Sequence, residues 1–200
     1  MTQVIGLTGS LGSGKSSVIS YFRQKNIPTI DADEISREVV EPGMKGWHDL
    51  KNAIGDMYFH ENGELDRRKL RNAISHDQSL RHRVNGVLHP LVRREIRKQV
   101  AALLTFGRNV PVIVVEVPLL FEVSWEGDFD RIILVYAPPD ECIKRFSVRD
   151  NVGTEAAGKF FNTQMDIDEK MGRADFVIDN SGPWSDTVKQ LDEMLNTLKV

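Results

Sequence analysis

Two hundred residues with 40% hydrophobic and 28% charged side chains carry enough apolar material for one cored domain, and too much for a disordered chain. A net charge of −3 argues against a general nucleic-acid binder, and no apolar run approaches the roughly 18 residues that span a bilayer. The single cysteine, Cys142, forms no internal disulfide and the first residues lack a signal-peptide pattern, so the expectation is a soluble cytoplasmic protein with no obligate protein partner.

Short apolar runs separated by helical patterns follow in chain order. Val4 to Leu7 reads as a first strand, Ser16 to Lys25 as a helix, and Thr29 to Ile30 as a second strand. A long interval of charged and apolar residues comes next, with a helix over Asp66 to Ser75 for which Asp66 is a plausible N-cap, and another over Leu91 to Leu104. Val112 to Val115 and Ile132 to Val135 lack polar alternation, as expected of central parallel strands covered on both faces. Asp140 to Asp150 reads as a helix, Phe176 to Ile178 as the fifth strand, and Ser185 to Lys199 as a closing helix. Such alternation predicts an α/β fold in three layers, with helices on both faces of a five-stranded parallel sheet. The interval between the second and third strands far exceeds the dozen or so residues of a simple crossover, so it is expected to hold an inserted helical subdomain, residues 32–105. A second polar excursion, Asn151 to Arg173, separates the fourth and fifth strands.

The sharpest local signal is T-G-S-L-G-S-G-K-S-S, Thr8 to Ser17, directly after the first strand. Gly9 to Ser16 fits G-x-x-x-x-G-K-[ST] between a strand and a helix, the context in which the pattern has a mechanism. The glycines Gly9, Gly12 and Gly14 let backbone N–H groups turn toward a phosphate at a helix N-terminus. Lys15 can reach the β- and γ-phosphates, and the Ser16 hydroxyl can join the shell of Mg²⁺, so the loop is expected to bind a nucleoside phosphate with Mg²⁺ as the cofactor.

A guanine-nucleotide switch would need N-K-x-D after a late strand, and none exists. Asp150-Asn-Val-Gly153 spells D-x-x-G, but it follows a predicted helix and reads as a helix C-terminus with a glycine stop. Ligands of open parallel sheets sit beyond the carboxyl ends of the strands, where this chain places Asp31-Ala-Asp33, Glu116 and Asp179-Asn180. Asp33 could orient an acceptor hydroxyl and take its proton, while either Asp31 or Asp33 could instead cap the helix through Ile35 to Val40. Arg145 and Arg149 lie four apart and share a helix face, leading into the excursion that carries Lys159, Lys170 and Arg173. Cations that close over a nucleotide stabilise the charge spread in phosphoryl transfer, so residues 145–173 are expected to form a lid.

Several blocks together carry a resemblance. G-L-T-G-S-L-G-S-G-K-S-S, I-D-A-D-E-I-S-R, V-E-P-G, L-H-P-L, V-P-L-L-F-E and Q-M-x-x-x-E-K-x-x-R-A-D-F-V-I-D-N-S-G occur in that order and resemble the dephospho-coenzyme A kinase family. The resemblance implies a P-loop kinase fold with an acceptor-binding insertion and a lid. It implies ATP-dependent phosphorylation of the ribose 3′-hydroxyl of dephospho-CoA, the last step of CoA synthesis. By matching blocks, Asp33 would be the base, and Arg37, His89, Pro118, Leu119 and Leu120 would form the acceptor pocket. Lys15, Arg145 and Arg149 would serve transfer. ATP would lie on Gly9, Gly12, Ser13, Gly14, Lys15, Ser16 and Ser17, with Asn180 beside the adenine. Ser10, Leu11 and Ser17 stand where the family more often has Gly, Ile and Thr, and Met171 stands where it usually has another arginine. Beside this reading stand a nucleoside or nucleotide kinase, and a nucleotide-binding regulator without transfer activity. His89, before Pro90 at a predicted helix start, could also simply cap or pack. Cys142 reads as a small packing residue, and the three tryptophans are too scattered for a stacking platform.

Overall fold

The computed structural model describes residues 2–106 and 110–198. Its centre is a parallel sheet of β1 (Gln3–Gly9), β2 (Thr29–Asp31), β3 (Val112–Glu116), β4 (Arg131–Tyr136) and β5 (Phe176–Asp179), in the order β2-β3-β1-β4-β5. β1 lies in the middle, with Leu7 opposite Glu116 on one side and Ile133 on the other. All four pairings are parallel, so Gly9, Asp31, Glu116, Tyr136 and Asp179 end the strands on one edge of the sheet.

The helices are α1 (Lys15–Gln24), α2 (Ala32–Glu38), α3 (Lys45–Ile54), α4 (Arg67–Ile74), α5 (Gln78–Phe106), α6 (Pro139–Asp150), α7 (Thr154–Phe161), α8 (Ile167–Arg173) and α9 (Trp184–Thr197). Their chain divides into two compact units, one holding the residues up to Asp31 and those from Ala102 onward, the other Ala32–Ala101.

In the sheet unit, alternate strand residues Ile5, Leu7, Val114, Ile133, Val135 and Ile178 face a buried layer formed by Val18, Ile19 and Phe22 of α1 and by Leu191, Met194 and Leu195 of α9. The i, i+1, i+4 spacing in α1 and the i, i+3, i+4 spacing in α9 give each helix one apolar stripe, which the sheet covers. On the opposite face the absent side chain of Gly6 leaves room for Leu120 and Phe129, which a Cβ there would approach to 2.6 and 2.9 Å. The final helix predicted to Lys199 ends at Thr197, and Lys199 lies outside the described residues.

The Ala32–Ala101 unit has its own small core of Val40, Leu50, Ile54, Leu70, Leu80 and Val84. Asp66 caps α4, its carboxylate accepting from the Lys69 N–H at 2.9 Å. Sequence reading began a helix at Leu91, behind Pro90, but α5 starts at Gln78 and carries Pro90 inside it. A proline there loses one intrahelical hydrogen bond, and the burial of Leu80 and Val84 before it and of Val92 and Ile96 after it outweighs that loss. The Asp150 to Gly153 stretch needs a similar correction. Asn151, at φ 51°, is the left-handed residue that stops α6, and Gly153 is extended and starts α7. Among the described residues, no helix is long and apolar enough to cross a membrane.

Candidate active site

The phosphate loop starts where β1 ends. Gly14 occupies the N-cap position of α1 at φ 97°, a left-handed conformation that glycine adopts without a Cβ penalty, and no side chain caps the first turn. That turn therefore offers N–H groups and the positive end of the helix dipole to an anion. Two close approaches show why glycine is needed. A Cβ on Gly12 would lie 2.1 Å from the Cys142 carbonyl oxygen, and one on Gly14 would lie 2.1 Å from Asn180 Nδ2. Cys142 is fully buried, its thiol donates to the Ala137 carbonyl, and burial pushes its pKa up, which suits packing rather than nucleophilic chemistry.

Asn180 organises the loop from the end of β5. Its side-chain amide donates to the Ser13 carbonyl at 2.8 Å and its side-chain oxygen accepts from the Thr187 hydroxyl at 3.0 Å. Its backbone N–H bonds the Tyr136 carbonyl at 2.8 Å, and its own carbonyl accepts from Arg145 Nη1 at 3.0 Å. One buried residue, through its side chain and its backbone, thus ties together the phosphate loop, β4, α6 and α9. Sequence reading put Asn180 beside the adenine; the structure gives its side-chain amide to the loop backbone. Thr187 was not anticipated, because a lone threonine in a helix carries no motif.

Lys15 Nζ donates to the Gly9 and Ser10 carbonyls at 2.8 and 3.0 Å, which draws the lysine back along its own loop. Gly12, Gly14, Lys15, Ser16, Glu116, Arg145, Phe146 and Arg149 line one cavity of about 320 Å³. Arg145 is held there by Glu141 at 3.1 Å as well as by Asn180. Arg149 is more exposed, chelated by Asp150 through two bonds of 2.9 and 3.0 Å and seated over the Phe146 ring. The hydrogen bond that Arg149 donates to Asp150 pushes the Arg149 pKa up. Ser13 is buried and Ser17 exposed, with the Ser17 N–H bonded to the Gly14 carbonyl at 3.0 Å.

The cations of the excursion do not join that cavity. Lys170 is fully buried with its Nζ 2.7 Å from Glu122, and Arg173 pairs with Glu126 and lies over the Phe121 ring. Lys159 pairs with Glu155 on the exposed face of α7. The sequence offered no way to see the pairs with Glu122 and Glu126, which lie more than forty residues earlier.

The candidate acceptor residues fall in both units. In the sheet unit Pro118 accepts a hydrogen bond from the Thr8 hydroxyl at 3.2 Å, Leu119 is 43% exposed, and Leu120 is fully buried in the core above Gly6. In the Ala32–Ala101 unit Asp33 and Arg37 are exposed on α2. Asp33 lies inside the first turn, so the cap position belongs to Asp31. Arg67 donates to the Arg37 carbonyl at 3.1 Å. His89 sits within α5 rather than at a helix start; it is half-buried, and burial lowers its pKa.

With this geometry in view, the sequence model of the family described as Dephospho-CoA kinase matches residues 3–186. A Dephospho-CoA kinase of Bacillus cereus is 38% identical over 200 residues, covering 100% of this chain and 99% of the relative. A crystal structure from Thermus thermophilus superposes with a TM-score of 0.84 at 31% identity, covering 98% of each chain. The structure of a Dephospho-CoA kinase from Campylobacter jejuni gives a TM-score of 0.70 at 23% identity over 98% of this chain and 96% of that one, a likeness of fold.

Proposed function

The chain belongs to the dephospho-CoA kinase family, and we propose that its transfer machinery is Lys15, Arg145 and Arg149 on the donor side with Asp33 as the base on the acceptor side. The reaction is the ATP-dependent phosphorylation of dephospho-CoA that yields CoA and ADP, at the ribose 3′-hydroxyl. The observation that carries the assignment of the donor side is the single cavity in which Lys15, Ser16, Glu116, Arg145 and Arg149 meet at the uncapped start of α1.

The γ-phosphoryl group gathers negative charge on its equatorial oxygens as it leaves ADP. Lys15 can exchange two neutral carbonyls of its own loop for phosphate oxygens and follow the group as it moves. Arg145 comes already oriented by Glu141 and the Asn180 carbonyl, so little is lost in ordering it when charge develops. Arg149, on a more exposed tether, is the cation free to follow lid movement within residues 145–173. Asp33 supports the role of base by its place in the I-D-A-D block and by its exposure in the first turn of α2. Arg37, His89, Pro118 and Leu119 are proposed to hold the acceptor, while the buried Leu120 supports the turn from below.

Mg²⁺ fits the residues present. The Ser16 hydroxyl and the Glu116 carboxylate are hard oxygen donors lining one cavity, and among the described residues no cluster of three His, Cys, Asp or Glu forms a protein cage. This suits an ion held chiefly by phosphates and water, which when bound neutralises charge on the β- and γ-oxygens. Ser16 and Glu116 are the residues of this cavity that would hold it. A cytoplasmic setting accords with the lone buried thiol.

The test is ADP release with ATP and magnesium, offering dephospho-CoA beside adenosine, AMP and pantetheine compounds. Turnover is expected with dephospho-CoA; activity confined to AMP or adenosine would return the chain to the nucleotide-kinase reading.

A further inference from the structure

The link between α7 and α8 reaches the phosphate loop through Gln164. The Leu11 N–H, in the first turn of the loop, donates to Gln164 Oε1 at 2.9 Å. The next residue, Met165, donates its own N–H to Glu122 Oε1 at 3.0 Å, and the same oxygen lies 2.7 Å from Nζ of the buried Lys170. Glu122 closes the turn that follows β3, so an unbroken series of contacts runs from that turn through Met165 and Gln164 into the loop. Arg173 adds a second anchor to this segment through Glu126 and the Phe121 ring.

We propose that Gln164 is a positioning residue for phosphoryl transfer, holding the first turn of the phosphate loop through the Leu11 N–H while the Lys170–Glu122 pair holds Gln164 in place. The proposal rests on the reading that this loop binds the phosphates of ATP. The chemistry of the side chain fits the task. Leu11 needs an acceptor, and a carboxylate there would bring a negative charge to a site that must receive several more, whereas an amide oxygen accepts without charge. The contact also orders the loop before the nucleotide arrives, so less conformational freedom is lost on binding.

The test uses Gln164→Met, which keeps length and shape but cannot accept a hydrogen bond from an amide. Per folded molecule, kcat/KM for ATP is expected to fall about two- to tenfold, the effect of one net hydrogen bond. The KM for dephospho-CoA should stay within about twofold, because the contact lies on the donor side. A change spread equally over both substrates, or none in kcat/KM for ATP, overturns the proposal. An independent measurement needs no variant: amide exchange at Leu11 in the ligand-free enzyme must be protected, and fast exchange there also overturns it. Lys15→Ala is run in parallel. Full turnover in Lys15→Ala would overturn the reading of the loop and with it the role of Gln164; a normal Gln164→Met beside an inactive Lys15→Ala overturns the role of Gln164 alone.

Discussion

The sheet unit and the Ala32–Ala101 unit present their functional groups by different means. In the first, Ile5, Leu7, Val114, Ile133 and Val135 are fully buried under two amphipathic helices, and the groups at the strand ends are fixed largely by backbone hydrogen bonds. Lys15, Arg145 and Asn180 each bond to a main-chain carbonyl, and Gln164 bonds to a main-chain N–H. In the second, a cluster of six buried apolar residues forms the core, and the candidate groups on α2, Asp33 and Arg37, are exposed side chains. The contrast teaches that a donor site reading only phosphates can be built from the main chain. The proposed acceptor site, which must recognise one particular alcohol, draws instead on side chains, Asp33, Arg37 and His89 of the helical unit together with Pro118 and Leu119 of the sheet unit.

The largest effects should separate the two halves of the reaction. Lys15→Ala removes a charge set to accompany the moving phosphoryl group, and turnover is expected to fall by on the order of 10²–10³. Asp33→Asn should lower kcat by a comparable factor, about 10²–10⁴, with the ATP dissociation constant nearly unchanged, since it removes only a proton acceptor. Equilibrium binding of a fluorescent ATP analogue, measured beside steady-state turnover, distinguishes them. Collapse of ATP binding in Asp33→Asn would place that carboxylate on the donor side and break the contrast.

How much of this could be read from the chain follows the same divide. The five strands and the phosphate loop were legible because continuous apolar runs flanked by Gly, Lys and Asp are local signals. Pro90 misled, because its cost is local whereas the burial of Leu80, Val84, Val92 and Ile96 that overrides it is tertiary. Gly153 misled too, since asparagine tolerates the left-handed conformation and Asn151 had already ended α6. Of the site, the residues within the loop were plain, but the supports of that loop were not. The bond of Asn180 to Ser13 and the pairing of Lys170 with Glu122 join residues 167 and 48 positions apart in sequence, and no local pattern specifies such pairs.

A smaller effect should come from the core of the helical unit. Leu50 is fully buried at the centre of its cluster, and Leu50→Ala is expected to cost about 2–5 kcal/mol of stability through lost burial and the cavity left behind. If the two regions divide the work as described, the KM for dephospho-CoA should rise in this variant before the affinity for ATP changes. Equal loss of both would show that the donor site depends on this core as well. Thermal unfolding followed with and without ATP reads the difference.

The smallest effect concerns the clasp between the first and last helices of the sheet unit. The Tyr21 hydroxyl donates to Asp192 Oδ1 at 2.6 Å and Lys25 Nζ donates to the same oxygen at 2.9 Å. The hydrogen bond from Tyr21, then that from Lys25, holds the Asp192 carboxyl below its ordinary range. Burial, then the same bond, pushes the Tyr21 phenol well above its ordinary value. The signs follow from these directions. Asp192, depressed on folding, contributes stability above an unfolded pKa near 3.9, and the contribution disappears as pH falls through the folded value. Tyr21, raised on folding, contributes fully below an unfolded pKa near 10 and loses its contribution as pH rises through the folded value. Tyr21→Phe should therefore lower the melting temperature by roughly 2–4 °C across the neutral plateau. It should also shrink the acid limb of the stability profile and remove this residue's share of the alkaline limb. Turnover should hold, because the clasp joins helix surfaces away from the strand ends. A fall in kcat without a fall in melting temperature would mean that the seating of α1 against α9 reaches the phosphate loop, and the donor half would then rest on side-chain packing as much as on its main chain.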